Sequence, residues 1–184
     1  MNFVDIFPIV LFVIYIVLGF LSGAVRRLIG LVAVYVAFWA ASNMGLQAGG
    51  ILQQSSNFET SDARIYGFFG IVVAVLVIVE VATQLAHSQI QIPALSLNRT
   101  IGVLAGILTA LVVSVLVVHE LEAAGNPFGG PQLDQLQQHI RDGINGSRYA
   151  VNVTDHIKAP VLDIFHPVLP GDPQIYFGPG PVNP

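Results

Sequence analysis

Asn98-Arg99-Thr100-Ile101-Gly102-Val103-Leu104-Ala105-Gly106 heads a run that stays almost wholly apolar to Val118. Polar groups and an arginine stand at its start. Two glycines four apart then share one helical face. In water such a helix would be out of place. In a bilayer it reads as a spanning segment with an anchored entrance and a smooth seam, because small residues four apart let a second helix come close.

The rest of the chain agrees with that reading. Of its 184 residues, 54% are hydrophobic and 10% charged, and the mean hydropathy is +0.72. Soluble domains carry roughly 25% charged residues. The deficit of charge marks an integral membrane protein. A formal net charge of −4 argues against nucleic acid, which calls for clustered Lys and Arg. The absence of cysteine excludes disulfides, thiolate metal sites and cysteine nucleophiles. The first apolar run lacks a basic leader and passes straight into another, so it is expected to stay as a span rather than leave as a signal peptide.

Four spans are predicted. Ile6 to Val25 is just long enough to cross, since a span takes about 20 residues, and it carries a second glycine pair, Gly19 and Gly23. Arg26-Arg27 interrupts the hydrophobicity, and Leu28 to Met44 follows. One bent helix would bury both arginines at a cost of several kcal/mol, so a hairpin with the arginines at a tight turn is preferred. Gly45 to Asp62 reads as a polar loop, Ile65 to Ala86 as the third span, His87 to Leu97 as a linker, and Arg99 to Leu121 as the fourth span. Arg26, Arg27 and Arg99 then fall on one side, which the positive-inside rule makes cytoplasmic. Both termini are expected outside.

Beyond Leu121 the character changes: nine of the 11 prolines lie there. Leu133, Leu136, Ile140 and Ile144 recur at helical steps and predict an amphipathic helix over about Pro131 to Ile144. Val151 to Phe165 reads as a helical or extended piece broken by Pro160, and Pro167 to Pro184 as a proline-rich tail. The expected fold is all-α and polytopic: a four-helix transmembrane unit over 1–121, then an extramembrane amphipathic helix and tail over 122–184.

Asp5 opening the first span, Gly19, Gly23 and Arg26 before a second span, and Asn98-Arg99-x-x-Gly102-x-x-x-Gly106 opening the fourth form an ordered set. In that order and spacing the chain resembles the colicin V production protein (CvpA) family over Met1 to Leu121, with a weaker echo in Ser147 to Pro170. The resemblance implies a small bacterial inner-membrane protein linked to colicin production and envelope function, with no firmly attached catalytic activity. Thr109-Ala110 stand where that family often has an Arg-Gly pair.

Among single residues Glu80 is the most informative, because an ionisable group inside a span is costly and defaults to a functional reading. Near the arginine-bearing face, a structural pair with Arg26, Arg27 or Arg99 is the simpler account, and a protonatable or ion-binding role and interfacial exposure are the alternatives. Arg99 reads as a snorkelling anchor. The sharper reading has Asn98 and Arg99 bracing the arginine turn or holding a lipid phosphate. His119, Glu120 and Glu122 lack a further positioned imidazole and read as a solvated helix end rather than a metal site. The serines lack a G-x-S-x-G frame. Asn126 to Pro131 is a turn rather than a phosphate cradle.

The expected function is therefore a non-enzymatic scaffold or assembly factor, without cofactor, whose partners are the bilayer and a second copy or another membrane protein. A small transporter or channel component is the alternative, and an accessory subunit of a larger membrane complex is a third reading.

Overall fold

The computed structural model describes residues 2–56, 58–85, 95–129 and 133–179, without the side chains of 95, 96 and 153–155. Most of the predicted linker from His87, the Gly130-Pro131 end of the predicted turn, and the last prolines lie outside these residues.

Helices dominate. α1 runs Phe3–Ser55, α2 Thr60–Leu85, α3 Leu95–Gly125, α4 Gln135–Asn145, α5 Asp155–Phe165 and α6 Pro173–Tyr176. A π-helical turn, Ala150–Thr154, precedes α5, and a 3-10 turn, His166–Val168, follows it. Among the described residues three helices, α1 to α3, are long and apolar enough to cross a membrane. In α3, 61% of the most apolar stretch is buried, against 17% in α1 and 22% in α2. The helix containing the glycine-led run is thus the central one, and its neighbours turn most of their apolar surface outward.

α1 is not one rod. Gly23 has φ 77° and ψ 179°, far from helical values, in a region that only glycine enters without strain. A straight helix would separate Phe3 from Gly49 by roughly 70 Å at 1.5 Å per residue. Instead Phe3 stacks on His139 of α4 at 5.2 Å between ring centroids. Asp134, which caps α4, accepts the hydroxyl of Ser61 at the start of α2. Gly49 packs on Ala63, two residues further along α2. Both ends of α1 therefore lie within reach of one 11-residue helix, and the chain doubles back at Gly23. The reversal falls three residues before the arginines rather than on them, so Arg26 and Arg27 open the returning arm.

That arm corrects a second expectation. Gly45 to Asp62 is not a polar loop, because the helix continues to Ser55. Ala33, Ala37, Ala41, Gly45 and Gly49 recur every four residues and are all buried. They form a smooth stripe against which Gly67 and Phe68 of α2 close up. Local composition read as loop; tertiary packing makes it the tightest seam between α1 and α2.

The segment after α3 folds back over the end of the bundle away from the arginines. α4 starts at Gln135, later than expected, with a capping box between Asp134 and Gln137. Asp5 accepts the Ser147 hydroxyl at 2.7 Å and the Tyr149 N–H at 3.1 Å, tying the start of α1 to this segment. Val151 to Phe165 is helical, with Pro160 inside α5 rather than ending it. Residues 167–179 of the predicted tail are built into the core. Ser42 donates to the Val168 carbonyl at 2.6 Å, and Tyr176 donates to the Ala41 carbonyl at 3.1 Å. Phe177 is fully buried among Phe68 and Phe69, 5.5 and 6.4 Å away. Burial drives the Tyr176 hydroxyl above the usual tyrosine range, which keeps it a donor.

Candidate functional site: the turn at Gly23

A helix that restarts after a reversal exposes N–H groups with no intrahelical partner. Here α3 supplies one acceptor: the Asn98 side-chain oxygen takes the Ala24 N–H at 2.9 Å. Asn98 acts as an N-cap lent by another helix. The same amide group fills the space a Cβ on Gly23 would need. Arg26 donates to the Thr83 carbonyl at 2.8 Å, so a cation sits on the C-terminal turn of α2, where orphan carbonyls and the helix dipole favour it. One turn thus gathers the start of α3, the end of α2 and the fold of α1.

Arg27 points inward. It is 1% exposed, and its Nη2 holds both oxygens of Glu80 at 2.7 and 2.9 Å. Its guanidinium also lies 5.8 Å from the centroid of the Tyr15 ring. Nε and Nη1 of Arg27 have no hydrogen-bond partner among the described residues. Glu80 is 26% exposed and meets the pair from α2.

Beside the turn the glycines pair backbone to backbone. A Cβ on Gly19 would strike the Gly102 carbonyl, and one on Gly102 would strike the Gly19 carbonyl and Gly23. Gly106 sits equally close to the Tyr15 carbonyl. The two glycine pairs singled out in the sequence face each other across a single α1–α3 seam.

The structure brings Gly19, Gly23, Gly102 and Gly106 together in this way, with Asn98 on the turn and Glu80 on Arg27. Arg99, one residue from Asn98, points away from the turn. Its guanidinium lies 5.2 Å from the centroid of the outward-facing Phe20 ring. The 100° step between neighbouring helix positions separates these two side chains, so Asn98 alone of the two braces the turn.

Other buried polar groups stand further along α3. Thr109 is fully buried and donates to the Ala105 carbonyl at 2.7 Å. Ser114 donates to Leu111 at 2.9 Å and meets the Tyr149 hydroxyl. Burial raises Tyr149 above the ordinary tyrosine range, and the Ser114 bond opposes the rise. Glu120 is fully buried, and neither carboxyl oxygen has a partner among the described residues. The sequence reading placed Glu120 on a solvated end and missed this. Its i, i+4 relation to Leu116 on the buried face of α3 was the available signal. Glu122 instead pairs with Lys158 of α5. Among the described residues, no three His, Cys, Asp or Glu side chains gather as metal ligands.

The family profile described as colicin V production protein matches residues 4–137. That interval holds α1, α2, α3, the Gly23 turn and the start of α4. No curated protein and no solved structure matches the chain. The apolar helices, the turn built from Gly23, Asn98 and the paired arginines, and a profile match over most of the chain lead to one assignment: this membrane protein belongs to the colicin V production protein family.

Proposed function

We propose that the chain is a non-enzymatic scaffold or assembly factor of the bacterial inner membrane, acting in colicin or toxin production and envelope function. In this reading α1 crosses twice, α2 and α3 once each. The Gly23 turn lies at the cytoplasmic face with Arg26, Arg27 and Arg99, and both termini lie outside. The carrying observation is the closed seam between α1 and α3, where glycine backbones touch and the Thr109 and Ser114 hydroxyls are engaged by α3's own carbonyls. Such an interior supports a fixed shape that presents surfaces to other membrane proteins.

Two measurements test this. The native chain has no cysteine, so single cysteines placed at Phe58, at Asp142 and at Thr83 report sidedness cleanly. Labelling from outside is expected at the first two and from the cytoplasm at Thr83; cytoplasmic labelling at Asp142 sinks the topology. Mass measurement in mild detergent is expected to find the chain with a second copy or another membrane protein. A lone 19.7 kDa monomer counts against a scaffold.

A small transporter or channel component is the second reading. It draws on the buried atoms of Arg27 and Glu120 that have no partner among the described residues, since polar groups inside a membrane bundle can mark an ion path. Proton or ion flux in proteoliposomes that is lost in Glu120→Gln would favour it over the scaffold.

A further inference from the structure

We propose that the groove between the first arm of α1 and the start of α3 binds the headgroup of an anionic phospholipid, with Arg99 on the phosphate. Phe20, Arg99, Thr100, Val103 and Leu104 line a groove of about 480 Å³. It opens outward: Phe20 is 51% and Leu104 61% exposed. Both belong to helices long and apolar enough to cross a bilayer, so this surface faces lipid.

The charges at this end are unequal in their engagements. Arg26 is held by the Thr83 carbonyl and Arg27 by Glu80. Arg99 is exposed and forms no ion pair among the described residues. Among the described residues three cations therefore stand against the carboxylate of Glu80. The Phe20 ring supports one side of the Arg99 guanidinium, which limits its freedom without using its N–H donors. A planar fork held in this way suits two phosphate oxygens. Arg99 also stands in the first turns of α3, where the helix dipole favours an anion.

The apolar wall decides the source of the phosphate. Val103 and Leu104 continue the groove down the helix below the guanidinium. A free phosphate has no use for that wall, whereas a lipid lays its acyl chain along it while its headgroup reaches Arg99. The occupant is thus a phospholipid with net negative charge, such as phosphatidylglycerol.

The experiment uses the full chain in mild detergent, with native mass spectrometry after adding equal phosphatidylglycerol and phosphatidylethanolamine. Wild-type protein is expected to retain phosphatidylglycerol about tenfold more, the scale of one charge-assisted contact. Arg99→Gln is expected to lose that preference with unchanged thermal unfolding in lipid-free detergent. Arg148→Gln, the same charge change on the exposed far side, is expected to keep it. Equal retention of the two lipids by wild-type protein overturns the proposal, and this arm needs no variant to fold. Undiminished preference in Arg99→Gln, an equal loss in Arg148→Gln, or displacement of the lipid by millimolar inorganic phosphate overturns it as well.

Discussion

Arg27 and Glu80, 53 positions apart in the chain, form a nearly buried ion pair through a single guanidinium nitrogen, Nη2, at 2.7 and 2.9 Å. The pair links the returning arm of α1 to α2 next to the Gly23 turn. It is not optimal in isolation, because two other nitrogens of Arg27 lack partners among the described residues. Removing one member of a buried pair is more harmful than removing both, since it leaves a charge with no counterion.

Glu80→Gln is therefore expected to destabilise the protein by about 3 kcal/mol, read as thermal unfolding in detergent. The double replacement of Arg27 and Glu80 by Met is expected to be more stable than Glu80→Gln alone. If the double variant is the less stable, the pair is not the reason for the loss.

At Gly19, Gly102 and Gly106 the α1–α3 seam leaves no room for a side chain. Gly102→Ala is expected to lower stability by more than about 2 kcal/mol, because its Cβ meets backbone atoms of Gly19 and Gly23 that cannot rotate away. Gly30 and Gly70 have open space around a built Cβ. Gly30→Ala and Gly70→Ala are expected to be neutral or slightly stabilising, as alanine is the better helix former. Comparing folded yield and unfolding temperature of the three variants checks this. Equal tolerance at all three positions would contradict a closed seam.

Asn98 contributes an acceptor. Asn98→Asp keeps a side-chain oxygen for the Ala24 N–H and is expected to stay near wild-type stability. Asn98→Leu is of similar size but cannot accept, and is expected to cost about 1–2 kcal/mol, the range for losing a helix cap. Amide hydrogen exchange at Ala24 gives a local reading: protection should fall in Asn98→Leu and persist in Asn98→Asp.

Phe177 holds the carboxyl-terminal segment in place. With its ring fully buried against Phe68 and Phe69, Phe177→Ala is expected to cost about 3–4 kcal/mol. It should also expose the chain after α5 to proteases. Limited proteolysis is the check, and an unchanged digestion pattern would mean that the segment is held by other contacts.

The apolar runs and the glycine spacing were legible in the sequence because length, hydropathy and periodicity express them locally, whereas the arginines, expected on the turn, open the arm that returns from Gly23. A span needs a set length of apolar residues, and a close seam needs small residues four apart. The same logic placed Glu80 near a basic partner. Which arginine would take it was not legible, since Arg26 and Arg27 differ only by one 100° step around the helix. That step sends Arg26 to the Thr83 carbonyl and Arg27 into the interior. Gly45 and Gly49 were misread because glycine in a moderately polar stretch signals a loop and a helix seam alike. Only the presence of Ala63, Gly67 and Phe68 opposite decides between them.

By itself the sequence determined that the chain carries helices long and apolar enough to cross a membrane, and that α3 begins with a polar anchor and a small-residue face. Those properties follow from hydropathy, length and periodicity, which neighbours hardly alter. The tertiary structure alone decided that the reversal falls on Gly23, that Asn98 and Arg99 part company, and that the proline-rich end enters the core through Tyr176 and Phe177. Each of these depends on which groups from distant segments meet, and no local pattern encodes that meeting.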